Sequence, residues 1–255
     1  MFLRLRQLCL VAQDLEPVVD DLKAVFDIEV CHRDPAVAKY GLHNALLPIG
    51  NSFVEIVAPT KDDTAAGRYL DRRKGNGGYM VILDTDELDR WQKHVEAIGV
   101  RVAARLASDG YRGLQLHPRD TGGALLEINW SHGGADINAA YHPAGPAWQA
   151  SVRTTVVKAI IGAELQSDDP ERLAAKWSEI LRKRARPIDG AFRIDVDNAG
   201  LRFVPAVDGR GEGLSGIDLR VTEAARARDV ARGRGLAVAG GSVLIGGVRF
   251  NLTEA

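Results

Sequence analysis

The chain has 255 residues, 45% hydrophobic and 26% charged, and its 33 basic and 34 acidic side chains give a formal net charge of −1. This composition excludes a largely disordered chain, and without a basic excess we expect no nucleic-acid partner. Two cysteines cannot form a disulfide framework, and no apolar run reaches the length of a membrane span. We therefore expect a cytoplasmic protein with no membrane partner.

The first predicted elements are a strand, a helix and three further strands. The helix follows Asp14, a suitable N-cap, and its apolar side chains recur at helical spacing on one face. Short apolar runs separated by Gly and Asn indicate the strands. The strand-like runs cover residues 5–11, 28–32, 44–49 and 53–59, and the helical face carries Leu15, Val18, Leu22 and Val25.

The same order of elements then repeats. A second helix begins near Asp86, and the spacing of its apolar face matches that of the first helix, which places Met80 opposite Gln7. The strand-like runs of this unit cover residues 78–84, 100–106, 113–118 and 124–130, and its helical face carries Leu88, Trp91, Val95 and Ile98.

A stretch rich in Gly, Ala, Pro and His follows and indicates a linker or covering loop. It divides the chain into a first domain at 1–135, a linker at 136–151 and a second domain at 152–255. The second domain repeats the plan more loosely, with helices predicted over 170–183 and 222–233. The chain therefore reads as four strand–helix–strand–strand–strand units, two in each half, in an α+β fold.

Three stretches link this plan to a known family: LRQLCLVAQDLE, FVEIVAP and HPRDTGGALLEI. With the paired units, they resemble the vicinal oxygen chelate superfamily, which includes glyoxalase I, methylmalonyl-CoA epimerase, antibiotic resistance proteins and extradiol dioxygenases. The first half, including TAAGRYLDRR and GNGGYMVIL, resembles bacterial proteins described only as glyoxalase-like domains. The resemblance implies tandem βαβββ units that form curved half-barrel sheets, two glyoxalase-like modules in one chain, the second one degenerate.

The resemblance also implies a set of metal ligands. Gln7, which precedes Asp14 by the family's spacing, Glu55 and Glu127 fall on three ligand positions of the superfamily. The fourth position, a His in relatives, holds Met80, or Tyr79 if the register slips by one. A divalent metal (Mg, Mn, Zn or Ni) held by Gln7, Glu55 and Glu127 and a site without metal both stay open.

Glu55 and Glu127 each lie between apolar residues on a predicted strand. Alternation alone would place such residues on a solvent-facing side. The large apolar neighbours instead favour the cup, which is the concave interior of the half-barrel sheets. If both carboxyls face a dry cup without a metal, the pKa of at least one of them rises. Such a pair can serve as general acid and base.

Two classes of function follow from this resemblance. The first is a lyase or epimerase that transfers a proton next to a carbonyl of a small oxygenated metabolite, with Glu127 and Glu55 as base and acid. The alternative is a metal-free protein that binds a small molecule, of the resistance type. An extradiol dioxygenase is disfavoured, since no two-His, one-carboxylate iron site stands at the matching positions. The residues expected to contact the small-molecule ligand are His117, Tyr79, Met80 and Arg68.

The oligomeric state stays open in the sequence. Many relatives pair through this fold, which makes a homodimer plausible. The internal duplication can instead satisfy that pairing within one chain.

Overall fold

The computed structural model describes residues 1–254. Its first half is built on a mixed seven-stranded sheet with the strand order β2-β3-β1-β4-β7-β6-β5. The elements are β1 (Leu3–Val11), α1 (Leu15–Phe26), β2 (Leu42–Ile49), β3 (Ser52–Pro59), α2 (Ala65–Arg73), β4 (Gly77–Thr85), α3 (Leu88–Ala97), β5 (Val102–Ser108), β6 (Tyr111–Leu116) and β7 (Leu125–Ser131).

The second half is built on a mixed eight-stranded sheet with the order β13-β14-β15-β12-β8-β11-β10-β9. Its elements are β8 (Val157–Ser167), α4 (Pro170–Leu181), β9 (Arg186–Ile188), β10 (Ala191–Asp195), β11 (Gly200–Pro205), β12 (Gly213–Val221), α5 (Ala224–Gly233), β13 (Val238–Ala239), β14 (Ser242–Ile245) and β15 (Val248–Glu254). The predicted α+β fold with two tandem modules is confirmed.

The predicted strand over residues 28–32 is wrong. The segment forms only an isolated bridge between His32 and Leu46 on the edge of β2. Asp27 ends α1 in the left-handed conformation, and a short 3₁₀ helix begins at Pro35, so only a few residues lie alongside β2. An apolar run can thus be strand-like in pattern and still lack the length to form a ladder.

The two modules share one hydrophobic core. Buried side chains from both sheets and from α1, α3, α4 and α5 form a single cluster. The rings of Phe26 and Phe250, one from each half, lie 5.2 Å apart. The first strand also bonds to the second module, since the backbone N–H of Leu3 donates to Asp197 Oδ2 at 2.9 Å. No helix within residues 1–254 is long and apolar enough to cross a membrane.

The first sheet has one side that does not face this shared core. Leu8 and Leu10 of β1 belong to the shared core, whereas Cys9 of the same strand belongs to a separate apolar cluster covered by α2. We call this second side the inner face; it carries Gln7, Glu55 and Glu127. The linker between the modules forms two 3₁₀ turns, His142–Ala144 and Trp148–Ser151.

Candidate active site on the inner face of the first sheet

Strand register brings the candidate residues to neighbouring positions on the inner face. Cys9 of β1 pairs with Glu55 of β3 on one side and with Met80 of β4 on the other. Gln7 lies two residues before Cys9 and therefore points to the same side. Glu127 lies on β7, which pairs with β4. The two glutamates thus stand on opposite sides of the central β1–β4 pair.

The Glu55 carboxyl is buried and held by two amides. Gln7 Nε2 donates to Glu55 Oε2 and Asn44 Nδ2 donates to Glu55 Oε1, both at 2.7 Å. Burial raises the pKa of Glu55, and the nearby charge of Glu127 raises it further, while hydrogen bonds from Asn44, Cys9 and Gln7 oppose the rise. Desolvation is the largest of these effects, so Glu55 holds its proton more tightly than a carboxyl in water does.

The Glu127 carboxyl is only 2% exposed and is held by a phenol and an amide. The Tyr111 hydroxyl donates a hydrogen bond to Glu127 Oε1, and Gln115 Nε2 donates one to Oε2 at 2.9 Å. Burial raises the pKa of Glu127 despite the hydrogen bonds from Tyr111 and Gln115. The charge of Glu127 also contributes to the raised pKa of Glu55.

Unsatisfied polar atoms concentrate on this face. Within residues 1–254, six buried side-chain N or O atoms have no hydrogen-bond partner. Four of them lie on β1 and β7, and two belong to Arg73. Buried polar groups are nearly always hydrogen-bonded in proteins. A polar ligand or an ion on the inner face would satisfy these atoms. The four on β1 and β7 are Arg6 Nε, Gln7 Oε1, Asn129 Oδ1 and Ser131 Oγ.

The donor set fits a hard divalent ion. Gln7 Oε1 is a buried oxygen without a partner beside the Glu55 carboxylate, and Glu127 adds a second carboxylate to the same face. Oxygen ligands of this kind suit Mg²⁺ or Mn²⁺ with water completing the shell. Across the described residues 1–254, no group of three or more His, Cys, Asp or Glu side chains could hold a metal. Zinc and nickel, which prefer nitrogen or sulfur, fit this set poorly.

The predicted ligand-contacting residues lie in different places. Met80 is buried beside Cys9, and the ring of Tyr79 packs edge-on against Tyr69 at 5.0 Å. Arg68 is half exposed on α2 and pairs with Asp63 at 2.6 Å. Their role in binding stays a prediction.

His117 lies in the turn after β6 rather than on the strand. Its Nδ1 accepts a hydrogen bond from the backbone N–H of Arg119 at 3.2 Å. The two hydrogen bonds to Glu127 come from Tyr111 and Gln115 of β6, so His117 is not one of the groups that hold the carboxyl. Its contact with a ligand also stays a prediction.

Several residues of the site escaped the sequence analysis. Asn44, Tyr111, Gln115 and Asn129 all hold or flank the carboxyls. The signal for one of them was present, since Asn129 lies two residues beyond Glu127 on the same strand and must face the same side. The others come from neighbouring strands, whose register a single sequence does not reveal.

Comparisons with known proteins assign the family. Residues 8–181 match the family described as a glyoxalase-like domain. The chain belongs to this family. The suspected superfamily is thereby confirmed, because the match spans more than half of the chain.

Curated relatives are similar to the first half of this glyoxalase-like protein. The mitochondrial methylmalonyl-CoA epimerase of Bos taurus is 26% identical over 128 residues, which cover 49% of this chain and 73% of the relative. The corresponding Homo sapiens protein is 23% identical over 130 residues, with 49% and 72% covered.

Solved structures extend the likeness to both modules. A methylmalonyl-CoA epimerase in complex with methylmalonyl-CoA and NH4+ is 28% identical with a TM-score of 0.47, covering 51% of this chain and 96% of its own. A hypothetical protein from Staphylococcus aureus is 12% identical with a TM-score of 0.70, and the match covers 100% of both chains. This second likeness shows the fold alone, with both modules in one chain.

Proposed function

We propose that this glyoxalase-like protein is an epimerase-type enzyme that transfers a proton at a carbon next to a carbonyl. The observation that carries the proposal is the pair of buried carboxyls, Glu55 and Glu127, on one face with raised pKa values. The names of the curated relatives support a small acyl-CoA thioester as the substrate class.

The two carboxyls suit this chemistry because both are buried and have raised pKa values. A raised pKa makes each carboxylate a stronger base, which matches it better to a weakly acidic carbon-bound proton. When Glu127 is ionised, its charge favours the protonated form of Glu55. Glu127 then removes the proton from one face of the substrate carbon, and Glu55 delivers a proton to the other.

The hydrogen bonds around each carboxyl hold it in place for this exchange. Tyr111 and Gln115 orient Glu127, while Gln7 and Asn44 orient Glu55. Orientation of this kind lowers the entropic cost of reaching a reactive geometry.

For a second arrangement, in which both carboxyls are ionised, we propose that Gln7, Glu55 and Glu127 hold Mg²⁺ or Mn²⁺. When bound, such an ion polarises a substrate carbonyl as a Lewis acid. The orphaned Gln7 Oε1 supports this assignment.

Proton transfer is tested by deuterium exchange into a 2-methyl acyl-CoA thioester, for example methylmalonyl-CoA, in D₂O. We expect the wild-type protein to wash out the α-proton signal in the ¹H NMR spectrum. Glu127→Gln and Glu55→Gln should each slow exchange by about 10²–10⁴-fold, the usual contribution of a general acid or base. Repeating the assay in EDTA and after adding Mg²⁺ or Mn²⁺ measures the contribution of the ion.

The matched control is Glu96→Gln, at an exposed position on α3, and it should exchange at the wild-type rate. No exchange by the wild-type protein, across 2-oxoaldehydes and acyl-CoA thioesters, would remove the proposal. Full exchange activity of both Glu127→Gln and Glu55→Gln would show that neither carboxyl takes part in the proton transfer.

A further inference from the structure

The linker places one aromatic side chain on the inner face. Tyr141 is only 1% exposed, although it lies in the linker outside both sheets. Its ring stacks on Phe53 with centroids 5.1 Å apart, and the Arg6 guanidinium lies 4.8 Å from the ring centre. The Tyr111 ring meets it edge-on at 6.4 Å. These contacts hold the ring in one position, but none of them involves the hydroxyl group.

Within the described residues 1–254, the Tyr141 hydroxyl accepts a hydrogen bond but donates none. It accepts a hydrogen bond from Asn129 Nδ2 at 3.3 Å. A phenol that accepts one hydrogen bond can still donate its own. Burial raises the pKa of Tyr141 well above its ordinary value, and the Glu127 charge adds to the rise, so the hydroxyl keeps its proton at neutral pH.

The hydroxyl also lies close to the proposed base. Asn129, whose amide donates to Tyr141, lies two residues beyond Glu127 on the same face of β7. The two groups are also linked through Tyr111, which donates to Glu127 Oε1 and meets the Tyr141 ring edge-on. A base needs its target atom at about 3–3.5 Å, and an oxyanion sits about 2.7–3.1 Å from its donor. A substrate would therefore place its carbon against Glu127 and its carbonyl oxygen against Tyr141.

We infer that Tyr141 is a further catalytic residue, whose hydroxyl donates a hydrogen bond to the enolate oxygen formed when Glu127 removes the α-proton. This inference rests on the proposed proton transfer. The C–H bond breaks, its proton goes to the Glu127 carboxylate, and its electron pair forms the C=C bond of the enolate. The π pair of the carbonyl moves onto the carbonyl oxygen. Tyr141 keeps its own proton and stabilises that negative charge.

Tyr111 has a different task, which makes the two phenols separable. Its proton is already committed to Glu127 Oε1, so it positions the base. Tyr111→Phe should therefore move the pH profile of exchange, because the Glu127 carboxylate loses a donor that favours ionisation. Tyr141→Phe should leave the pH profile in place and lower the rate.

The decisive variant is Tyr141→Phe, which deletes the hydroxyl and keeps the ring contacts. We expect kcat for exchange to fall about 10²-fold, as for loss of one oxyanion donor, with KM within about threefold because the bond forms only in the transition state. The exposed Tyr40→Phe is the matched control, and it should behave as wild type. A Tyr141→Phe kcat within threefold of wild type would overturn the inference.

A binding measurement separates this inference from the proposed function. The nitronate anion of 3-nitropropionate imitates an enolate and can be titrated by calorimetry without turnover. We expect Tyr141→Phe to bind it at least 10-fold more weakly than wild type, while Tyr40→Phe binds it equally well. Tyr141-dependent binding without any exchange would keep the oxyanion role and remove the proton transfer. Equal affinity of wild type and Tyr141→Phe, or no binding by wild type, would overturn the role of Tyr141.

Discussion

A buried carboxyl on a sheet face costs stability when it ionises. Glu127 is 2% exposed, and its hydrogen bonds from Tyr111 and Gln115 only partly compensate for the loss of water, since its pKa stays raised. Well-packed proteins keep such groups mainly at functional sites, where a perturbed pKa serves the chemistry. The same group therefore links the activity of this protein to the pH dependence of its stability.

The pH dependence has a definite sign. A raised pKa means that the folded state binds the Glu127 proton more tightly than the unfolded state does. Wild-type stability therefore falls as pH rises from the unfolded carboxyl pKa, about 4.3, through the higher folded value. Glu127→Gln, which cannot ionise, should melt at a higher temperature than wild type at pH 8, and the difference should shrink toward pH 4. Calorimetric melting across this range checks it, and a lower midpoint for the variant at pH 8 would contradict it.

At the scale of elements, the linker forms one wall of the site. Trp148 is 2% exposed, its indole N–H donates to Ala139 O at 3.2 Å, and its ring meets Phe53 edge-on at 5.1 Å. The Arg6 guanidinium lies 5.6 Å from the same ring. The linker is thus anchored to the inner face by packing, so its conformation depends on the first sheet.

Removing this anchor should loosen the linker. Trp148→Ala leaves a large cavity, and the loss of a buried Trp commonly costs about 3–5 kcal/mol of unfolding free energy. Urea denaturation measures this change, and Trp130→Ala, at a half-buried position on β7, should cost less. An equal or smaller loss for Trp148→Ala would show that the linker is not held by this side chain.

At the scale of the whole molecule, close backbone approaches join the two modules. Gly123 has φ +82°, and a Cβ there would lie 2.2 Å from the Glu212 carbonyl oxygen of the other half. A Cβ on Gly78 would lie 2.4 Å from Leu214 O. The Arg73 guanidinium also crosses between the halves and donates to Arg210 O at 2.6 Å. Both sheets therefore depend on one interface.

A pair of alanine variants tests this interface. Gly190 also has a positive φ, +74°, but nothing lies within 4 Å of its added Cβ. Gly190→Ala should therefore cost only the left-handed backbone penalty, about 1–2 kcal/mol. Gly123→Ala adds a clash with backbone and should lower the thermal midpoint by several degrees more. Equal thermal midpoints for the two variants would mean that the added Cβ of Gly123→Ala does not disturb the contact between the two halves.

The order of the elements and the family could be predicted from the sequence because both depend on local signals. Helical spacing and strand alternation act over a few residues, and they gave the tandem α+β plan. The short stretches around Gln7, Glu55 and Glu127 identified the glyoxalase-like family in the same way. The run at 28–32 failed because a strand also needs a partner of sufficient length, which is not a local property.

Only the tertiary structure decided what surrounds each carboxyl. Asn44 and Tyr111 reach the glutamates from neighbouring strands, and Tyr141 reaches the inner face from the linker. These contacts join residues that are far apart in the chain, so they follow from register and packing rather than from any local pattern. The raised pKa values have the same origin, because desolvation depends on everything that covers the group.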